Sequence, residues 1–303
     1  NQFNVLVEYR KTWLNRLGGE WTTQVQIGQN TYLATEFYQP VEASGTWFVS
    51  PYGSIGQQTR GVFAGSDKVA DYLVKSAQVG LAGGAALGTW GQFGIGPVWT
   101  HVNASVDTGS AVLPSISEDT SGIRARLFVD QMNHAWGPTD GIAATGSAYA
   151  ALTAFGSAQS YQRLEGSFRW ARSWGENTIQ VGVSGGTDLG SDMPAYESFT
   201  LGGPLRLSGY RINQFAGRQF AYGRLMYYKR IFPLPDLLGS GVYAGASAEV
   251  GRMSNRFDGL PTPGTLWSGS LFLGADTFVG PAFVGFGFAP AGTYSLYMLL
   301  GAP

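Results

Sequence analysis

The chain of 303 residues has no cysteine, only two histidines, and a charged fraction of 13%, about half the share usual in a soluble globular domain. Without cysteine there is no disulfide framework and no thiolate-held zinc or iron–sulfur centre. A net charge of −1 removes the electrostatic case for nucleic acid as a partner. No run reaches the ~18 consecutive apolar residues of a transmembrane helix. The opening residues, NQFNVLVEYR, carry no basic-then-apolar signal peptide, so an exported protein would be represented here by a mature form or a fragment. What the chain does have is 14% aromatic residues, with 45 Gly, 15 Tyr and 9 Trp. Low charge, many aromatics and no helical span leave two classes, a soluble all-β protein or a membrane β-barrel.

Apolar and polar residues alternate with a period of two through much of the sequence, the signature of strands with two unlike faces. Val5, Val7 and Tyr9 oppose Asn4, Glu8, Arg10 and Thr12; Trp21, Val25 and Ile27 oppose Thr22, Gln24 and Gln26. Leu164, Phe168, Trp170 and Trp174 oppose Arg163, Glu165, Ser167 and Arg169; Ile179, Val181 and Val183 oppose Thr178, Gln180 and Ser184. Val242, Ala244, Ala246, Ala248 and Val250 oppose Tyr243, Ser247 and Glu249. A soluble sandwich alternates too, with its apolar face turned inward. Two features favour the inverted arrangement. The polar faces carry opposite charges close together (Glu8 with Arg10, Arg163 with Glu165), which suits a wet interior. Aromatics gather near strand ends (Trp13, Trp21, Tyr32, Tyr38, Trp47, Trp174), as in the girdles of a membrane barrel. The expected fold class is therefore an all-β, transmembrane antiparallel β-barrel forming one domain over residues 1–303.

About fifteen strands are predicted, near 3–13, 20–28, 31–40, 46–58, 67–84, 91–105, 121–132, 141–155, 161–174, 177–189, 218–231, 241–252, 267–279, 282–289 and 293–301. Short connections (28–31, 174–177) are expected to alternate with longer ones (106–120, 190–217, 253–266). One stretch breaks the period: residues 201–217, LGGPLRLSGYRINQFAG, crowd glycines, a proline and arginines together for longer than a turn requires.

Two segments resemble the BamA-type outer-membrane assembly and secretion superfamily, the bacterial surface antigen family. The stretch from Asp130 through Pro138-Thr-Asp-Gly141 is similar to a strand-joining turn of those barrels. Leu207-Ser208-Gly209-Tyr210 resembles their aliphatic–Arg–Gly–aromatic tetrapeptide, which lies in the long sixth extracellular loop. Downstream, the segment Gly241–Gly251, with Tyr243 and Glu249, looks like the strand whose inner face meets that loop. Gly202-Gly203 before the tetrapeptide is similar to one branch, the patatin-like type Vd secreted proteins.

That resemblance covers essentially the whole chain. It implies a sixteen-stranded translocator barrel in the Gram-negative outer membrane, with an N-terminal lipase passenger and a small POTRA-like domain outside this chain. The implied partners are outer-membrane lipids and lipopolysaccharide, the protein's own passenger and the barrel assembly machinery. The family places the hallmark loop after the eleventh strand. Here it follows the tenth predicted strand, so the first barrel strand is expected upstream of residue 1. A barrel lacking one strand has unsatisfied edges, which pairing with a second copy, as a homodimer, or partial refolding to close would both satisfy. The tetrapeptide's arginine is replaced by Ser208, so Arg206, or else Arg211, is expected to pair with Glu249. The last residues, Tyr297–Pro303, lack the terminal aromatic that bacterial assembly machinery commonly recognises.

No catalytic, cofactor or metal pattern accompanies these motifs. Gly182-Val-Ser184-Gly-Gly186 matches a nucleophile elbow in letters, but the elbow needs a strand–turn–helix context and Ser184 continues a strand. Asp140 sits in a Pro-Thr-Asp-Gly turn, where it serves backbone geometry. His101 and His134 have no metal spacing, and Gly80–Gly88 has no Lys-Ser/Thr to make a phosphate loop. The reading is a translocator that anchors a patatin-like passenger. An insertase of the same superfamily and a diffusion porin are the alternatives.

Overall fold

A computed structural model describes residues 4–64, 67–109, 115–134, 137–234, 241–256, 264–277 and 280–300. The predicted alternation becomes sixteen strands: β1 (Asn4–Lys11), β2 (Glu20–Gly28), β3 (Thr31–Pro40), β4 (Trp47–Ala64), β5 (Asp67–Ala86), β6 (Gly91–Gly109), β7 (Ile116–Asp130), β8 (Asp140–Ala151), β9 (Tyr161–Trp174), β10 (Asn177–Thr187), β11 (Phe199–Leu201), β12 (Phe215–Phe232), β13 (Gly241–Arg256), β14 (Leu266–Thr277), β15 (Gly280–Ala289) and β16 (Thr293–Leu300). Fifteen follow one another in chain order across the sheet, and the three-residue β11 pairs off that path with β12. The only helical elements among the described residues are short 3-10 turns at Thr153–Phe155, Ala195–Glu197 and Pro290–Gly292.

Strand bounds match the sequence reading at 20–28, 31–40 and 161–174, where turn residues flank a clean period. They differ where glycines and small residues blur it. β4 and β6 run on to Ala64 and Gly109, and their 18 and 19 residues are about twice the 9–11 that a membrane crossing needs. Strand 141–155 stops instead at Ala151, because Leu152–Gly156 close a 3-10 turn with the Gly156 amide on the Thr153 carbonyl at 3.0 Å. The expected alternation of short and long connections is not general. The links at 12–19 and 41–46 do flank the short link 29–30, but 131–139 and 152–160 are two longer links in succession, and a longer connection still runs 188–214. Residues Ala135–Trp136 of the turn motif, strand ends 278–279 and the C-terminal residues 301–303 lie outside the described part.

The chain divides into two compact units. The first comprises Asn1–Phe128, Gly146–Leu164 and Asp188–Glu197. Its antiparallel ladders run from β1 to β6 without a gap. Val5, Val7, Tyr9, Ile27 and Ile55 are exposed on one face. Polar contacts cross the other: Gln24 donates to Glu8 at 2.7 Å, Arg10 pairs with Glu20 rather than Glu8, and Arg124 donates to Gln78 at 2.8 Å. Trp13, Trp21 and Trp47 are exposed at strand ends, as the girdle predicts. Tyr38 is not among them, since its ring packs 4.7 Å from buried Phe48 on the polar side.

The second unit comprises Val129–Thr145, Glu165–Thr187 and Ser198–Pro303. Its ladders join β10, β12, β13, β14, β15 and β16 antiparallel. Here too the large apolar side chains face outward: Leu225, Trp267, Leu271, Val284, Phe286 and Leu296 are all exposed. A soluble core inverts this, whereas a sheet facing lipid requires it. On the opposite face Gln180, Ser247, Glu249 and Ser270 are buried, and residues 198–214 lie against them.

Candidate functional site: a loop pinned to the polar face

Residues 198–214 fold by tight turns rather than as an open loop. Gly202 and Gly203 take φ of 118° and 113°, a region open to glycine and costly for other residues. Backbone bonds from Arg206 N to Gly203 O (3.0 Å), Gly202 N to Arg206 O (3.1 Å), Tyr210 N to Leu207 O (3.0 Å) and Asn213 N to Gly202 O (3.2 Å) close successive turns. β11 is hidden in this segment: Leu201 pairs with Phe215, Thr200 with Ala216 and Phe199 with Gly217. Leu205 and Leu207 sit in the left-handed region, at φ 54° and 72°. Each such residue costs roughly 1–2 kcal/mol, so the surroundings must hold the turn in place.

They do so through residues 205–209. The Leu205 carbonyl accepts from Tyr222 Oη at 2.7 Å and from Arg224 Nη1 at 2.9 Å, both on β12. Ser208, fully buried, donates its amide to Glu249 Oε2 at 2.6 Å and its hydroxyl to Glu249 Oε1 at 2.7 Å. The same hydroxyl accepts the Leu205 amide at 2.9 Å, which fixes its proton on the Glu249 side. Ser247 Oγ donates to Glu249 Oε1 at 2.6 Å and lies 2.7 Å from Ser270 Oγ. Gly209 N donates to Ser268 Oγ at 2.7 Å, and Ser295 Oγ donates to the Ser208 carbonyl at 2.5 Å. Buried Glu249 thus receives three donors, the satisfaction that a desolvated carboxylate demands. The tetrapeptide Leu207-Ser208-Gly209-Tyr210 is tied in this way to β13, β14 and β16.

The pairing expected of Arg206 or Arg211 does not form. An extended chain would place residues 206 and 208 on one side, but the left-handed turns at Leu205 and Leu207 send them apart. The Arg206 guanidinium lies 5.4 Å over the Phe220 ring, a cation–π contact. Arg211 is exposed and contributes its backbone amide to Gln214 Oε1 at 3.0 Å. Ser208 is therefore itself the partner of Glu249, with its amide doing half of what a longer side chain would do. Tyr210 is half-buried, its ring edge-on to Phe215 at 5.1 Å, and burial pushes its hydroxyl above the ordinary value.

The other sequence-selected residues divide. Gly251 lies under the loop, where a Cβ would stand 3.1 Å from Leu207 and 3.3 Å from Leu201. The Tyr243 ring meets Tyr228 edge-on at 5.8 Å, beside the cluster of Leu205, Met226, Tyr228 and Phe272. Asp130 caps its own turn, accepting Met132 N at 3.0 Å, and the Pro138 carbonyl accepts from Tyr228 Oη. Gly141, at φ 121°, follows Asp140 at the start of β8 beside that turn. The turn's main organiser is Asn133, which sequence reasoning missed; its Oδ1 accepts the amides of Thr139 and Asp140 at 3.0 and 3.1 Å. Ser247, Ser268, Ser270, Ser295 and Gly287 were missed as well. The available signal was small residues recurring at period two on the polar faces of β14 and β15, which marks a close approach of backbone.

The remaining candidates stay apart. Ser184 lies within β10 opposite Tyr222. Asp140 pairs with Arg172 at 2.8 Å, and His101 with Asp119 at 2.7 Å. In the first unit the segment 188–197 has its own attachments. Ser191 Oγ accepts the Gln162 amide at 2.8 Å, and Tyr196 Oη donates to Glu118 at 3.3 Å. Burial and the Glu118 carboxylate raise that tyrosine's pKa.

Comparison with known proteins adds a family. The model of the Omp85 superfamily domain matches residues 15–275. Among solved structures, BamA from Haemophilus ducreyi lacking POTRA domains 1–3 superposes with a TM-score of 0.77 at 13% identity, covering 97% of this chain and 66% of that one. CdiB from Escherichia coli gives 0.66 at 13% identity, with 98% and 58% covered. CdiB from Acinetobacter baumannii gives 0.63 at 13%, with 98% and 59%. The chain therefore spans about three-fifths to two-thirds of these proteins, and at such identity the likeness is one of fold. No curated protein matches in sequence.

Proposed function

The chain belongs to the Omp85 superfamily, and from that membership and the pinned loop we propose that it is an outer-membrane translocator barrel. It anchors a secreted polypeptide in the outer membrane of a Gram-negative bacterium and assists its passage to the surface. The passenger is a patatin-like lipase joined N-terminally to residue 1 through a POTRA-like domain, as the Gly202-Gly203 resemblance suggests. The outward-facing apolar side chains support the lipid-facing surface. The observation that carries the reading is the attachment of Ser208 to Glu249. A loop held by a buried carboxylate across the polar face suits a regulated secretion path better than a permanently open pore. The same proposal places the first barrel strand in residues preceding Asn1 and includes pairing with a second copy.

The full-length polypeptide, expressed in an outer-membrane host, tests this. The expected result is that the segment preceding residue 1 becomes accessible to added protease and to surface antibody, while a chain lacking residues 202–211 displays it poorly. Steady, loop-independent conductance of the purified barrel in planar bilayers would instead indicate a porin. Acceleration of client-barrel folding in liposomes would indicate an insertase. Either result overturns the translocator reading.

A further inference from the structure

In the first unit the outward face of β3–β6 changes character at one row. On β4 the outward residues Trp47, Val49, Pro51, Gly53 and Ile55 carry no polar group beyond the indole N–H, and the next is Gln57. The register carries the same change across the sheet. Ile55 stands opposite Leu33 and Ala77, whereas Gln57 stands opposite Thr31 and Lys75, and Lys75 opposite Asn103. Val74 and Val102, the preceding residues on β5 and β6, are buried on the other face, so Lys75 and Asn103 point outward. The row also falls at a particular height. Trp47, exposed at the start of β4, belongs to one aromatic girdle. From there to Gln57 the strand runs about 33 Å at ~3.3 Å per residue. A tilt of about 40° reduces this to about 25 Å, the height of a barrel's apolar band. Lys75 therefore stands where acyl chains give way to head groups. Residues 58–64 continue past that level, which accounts for a strand of 18 residues.

At the same place the sheet hollows. An open depression of about 720 Å³ is lined by Val25, Leu33 and Ile55 on its apolar side and by Gln57, Lys75 and Asn103 at its polar end. Among the described residues Lys75 enters no ion pair. His101, also in the lining, holds Asp119 at 2.7 Å, which occupies that acid. We propose that this hollow holds one anionic phospholipid. Its phosphate meets the Lys75 ammonium, with the side-chain amides of Gln57 and Asn103 as further donors. Its acyl chains lie over Leu33, Ile55 and Val79, all exposed on the same face. A lipid fits better than free phosphate because the apolar side of the hollow continues into the outward face, where acyl chains lie. The proposal rests on the lipid-facing reading of the sheet and not on the translocator assignment.

Native mass spectrometry of the purified protein in a non-ionic detergent, offered equal amounts of dioleoylphosphatidylglycerol and dioleoylphosphatidylcholine, tests this. The expected result is one retained phosphatidylglycerol, preferred over the zwitterionic lipid by about fivefold or more, the effect of one lysine at an anionic surface. Lys75→Gln should abolish the preference and Lys75→Arg should keep it. Lys229→Gln, which removes the same charge from an exposed position of β12, should leave it unchanged. Excess inorganic phosphate should not displace the lipid. Equal retention of the two lipids, an equal loss in Lys229→Gln, or displacement by phosphate would overturn the proposal. Flotation with phosphatidylcholine vesicles separates the two levels of the argument. A protein that floats yet retains both lipids equally loses only this site, whereas one that fails to float loses the lipid-facing reading as well.

Discussion

Glu249→Ala is expected to release residues 202–211 from the sheet while leaving the β12–β13 ladder intact. The carboxylate is 1% exposed and takes the Ser208 amide, the Ser208 hydroxyl and the Ser247 hydroxyl. Alanine leaves the Ser208 amide and hydroxyl buried with no acceptor, at about 1–3 kcal/mol each and not additive because they share one site, while the Ser247 hydroxyl can turn to Ser270. A loss of about 3–5 kcal/mol of loop attachment follows. The loop also holds Leu205 and Leu207 in left-handed conformations, so once freed it gains by relaxing them. The ladder between β12 and β13 is backbone, with Arg224 opposite Glu249 in register, and does not need the carboxylate. Limited proteolysis and amide exchange at Ser208 and Gly209 measure the effect. Unchanged protection at both amides would show that Glu249 is not the anchor.

Gly287→Val attacks the same loop from the other side, and by shape rather than chemistry. A Cβ on Gly287 would run into the Ser208 carbonyl and stand 2.8 Å from the Ser208 Cβ. The Ser208 backbone cannot yield, because its amide is on Glu249 and its carbonyl on Ser295. Valine suits a strand, and Gly287 pairs with Ser270 and Ser295 through backbone alone, so β15 should persist with the loop displaced. Exchange at Ser208 and Gly209 should rise at least about a hundredfold, equivalent to roughly 3 kcal/mol. Gly223→Val is the matched control: its Cβ would meet Val250 at an ordinary 3.5 Å, and a change within about 0.5 kcal/mol is expected. Equal exchange in the two variants would remove close packing as the reason for glycine at 287.

The strand pattern was legible because period two survives even when the faces are inverted. Val5, Val7 and Tyr9 read the same whether they face lipid or a core, and only charge placement and end aromatics separate the two. The loop's attachment was legible in part. Gly251 and Glu249 could be placed opposite the tetrapeptide, but the partner could not, because the left-handed turns at two leucines leave no trace in composition. Reasoning from residue type assigned Glu249 to an arginine, whereas a backbone amide and a serine hydroxyl meet it. Main-chain donors are invisible to any search by residue type. Likewise β11 was hidden by the Gly-Gly-Pro that follows it, since three residues are too few to show a period.

The Ser208–Glu249 latch joins a carboxylate to neutral donors, with no cation in the contact. An arginine in the position of Ser208 would add a charge–charge attraction, part of which dissolved ions weaken. Raising salt from about 0.1 to 1 M shortens the screening length from about 10 to about 3 Å, yet hydrogen bonds from an amide and hydroxyls inside a buried site lose little. Protection of Ser208 and Gly209 against exchange should therefore stay flat over that range. A barrel loop held this way keeps its place on the polar face when the surrounding medium swings between dilute and saline, and is released only by something that competes for Glu249.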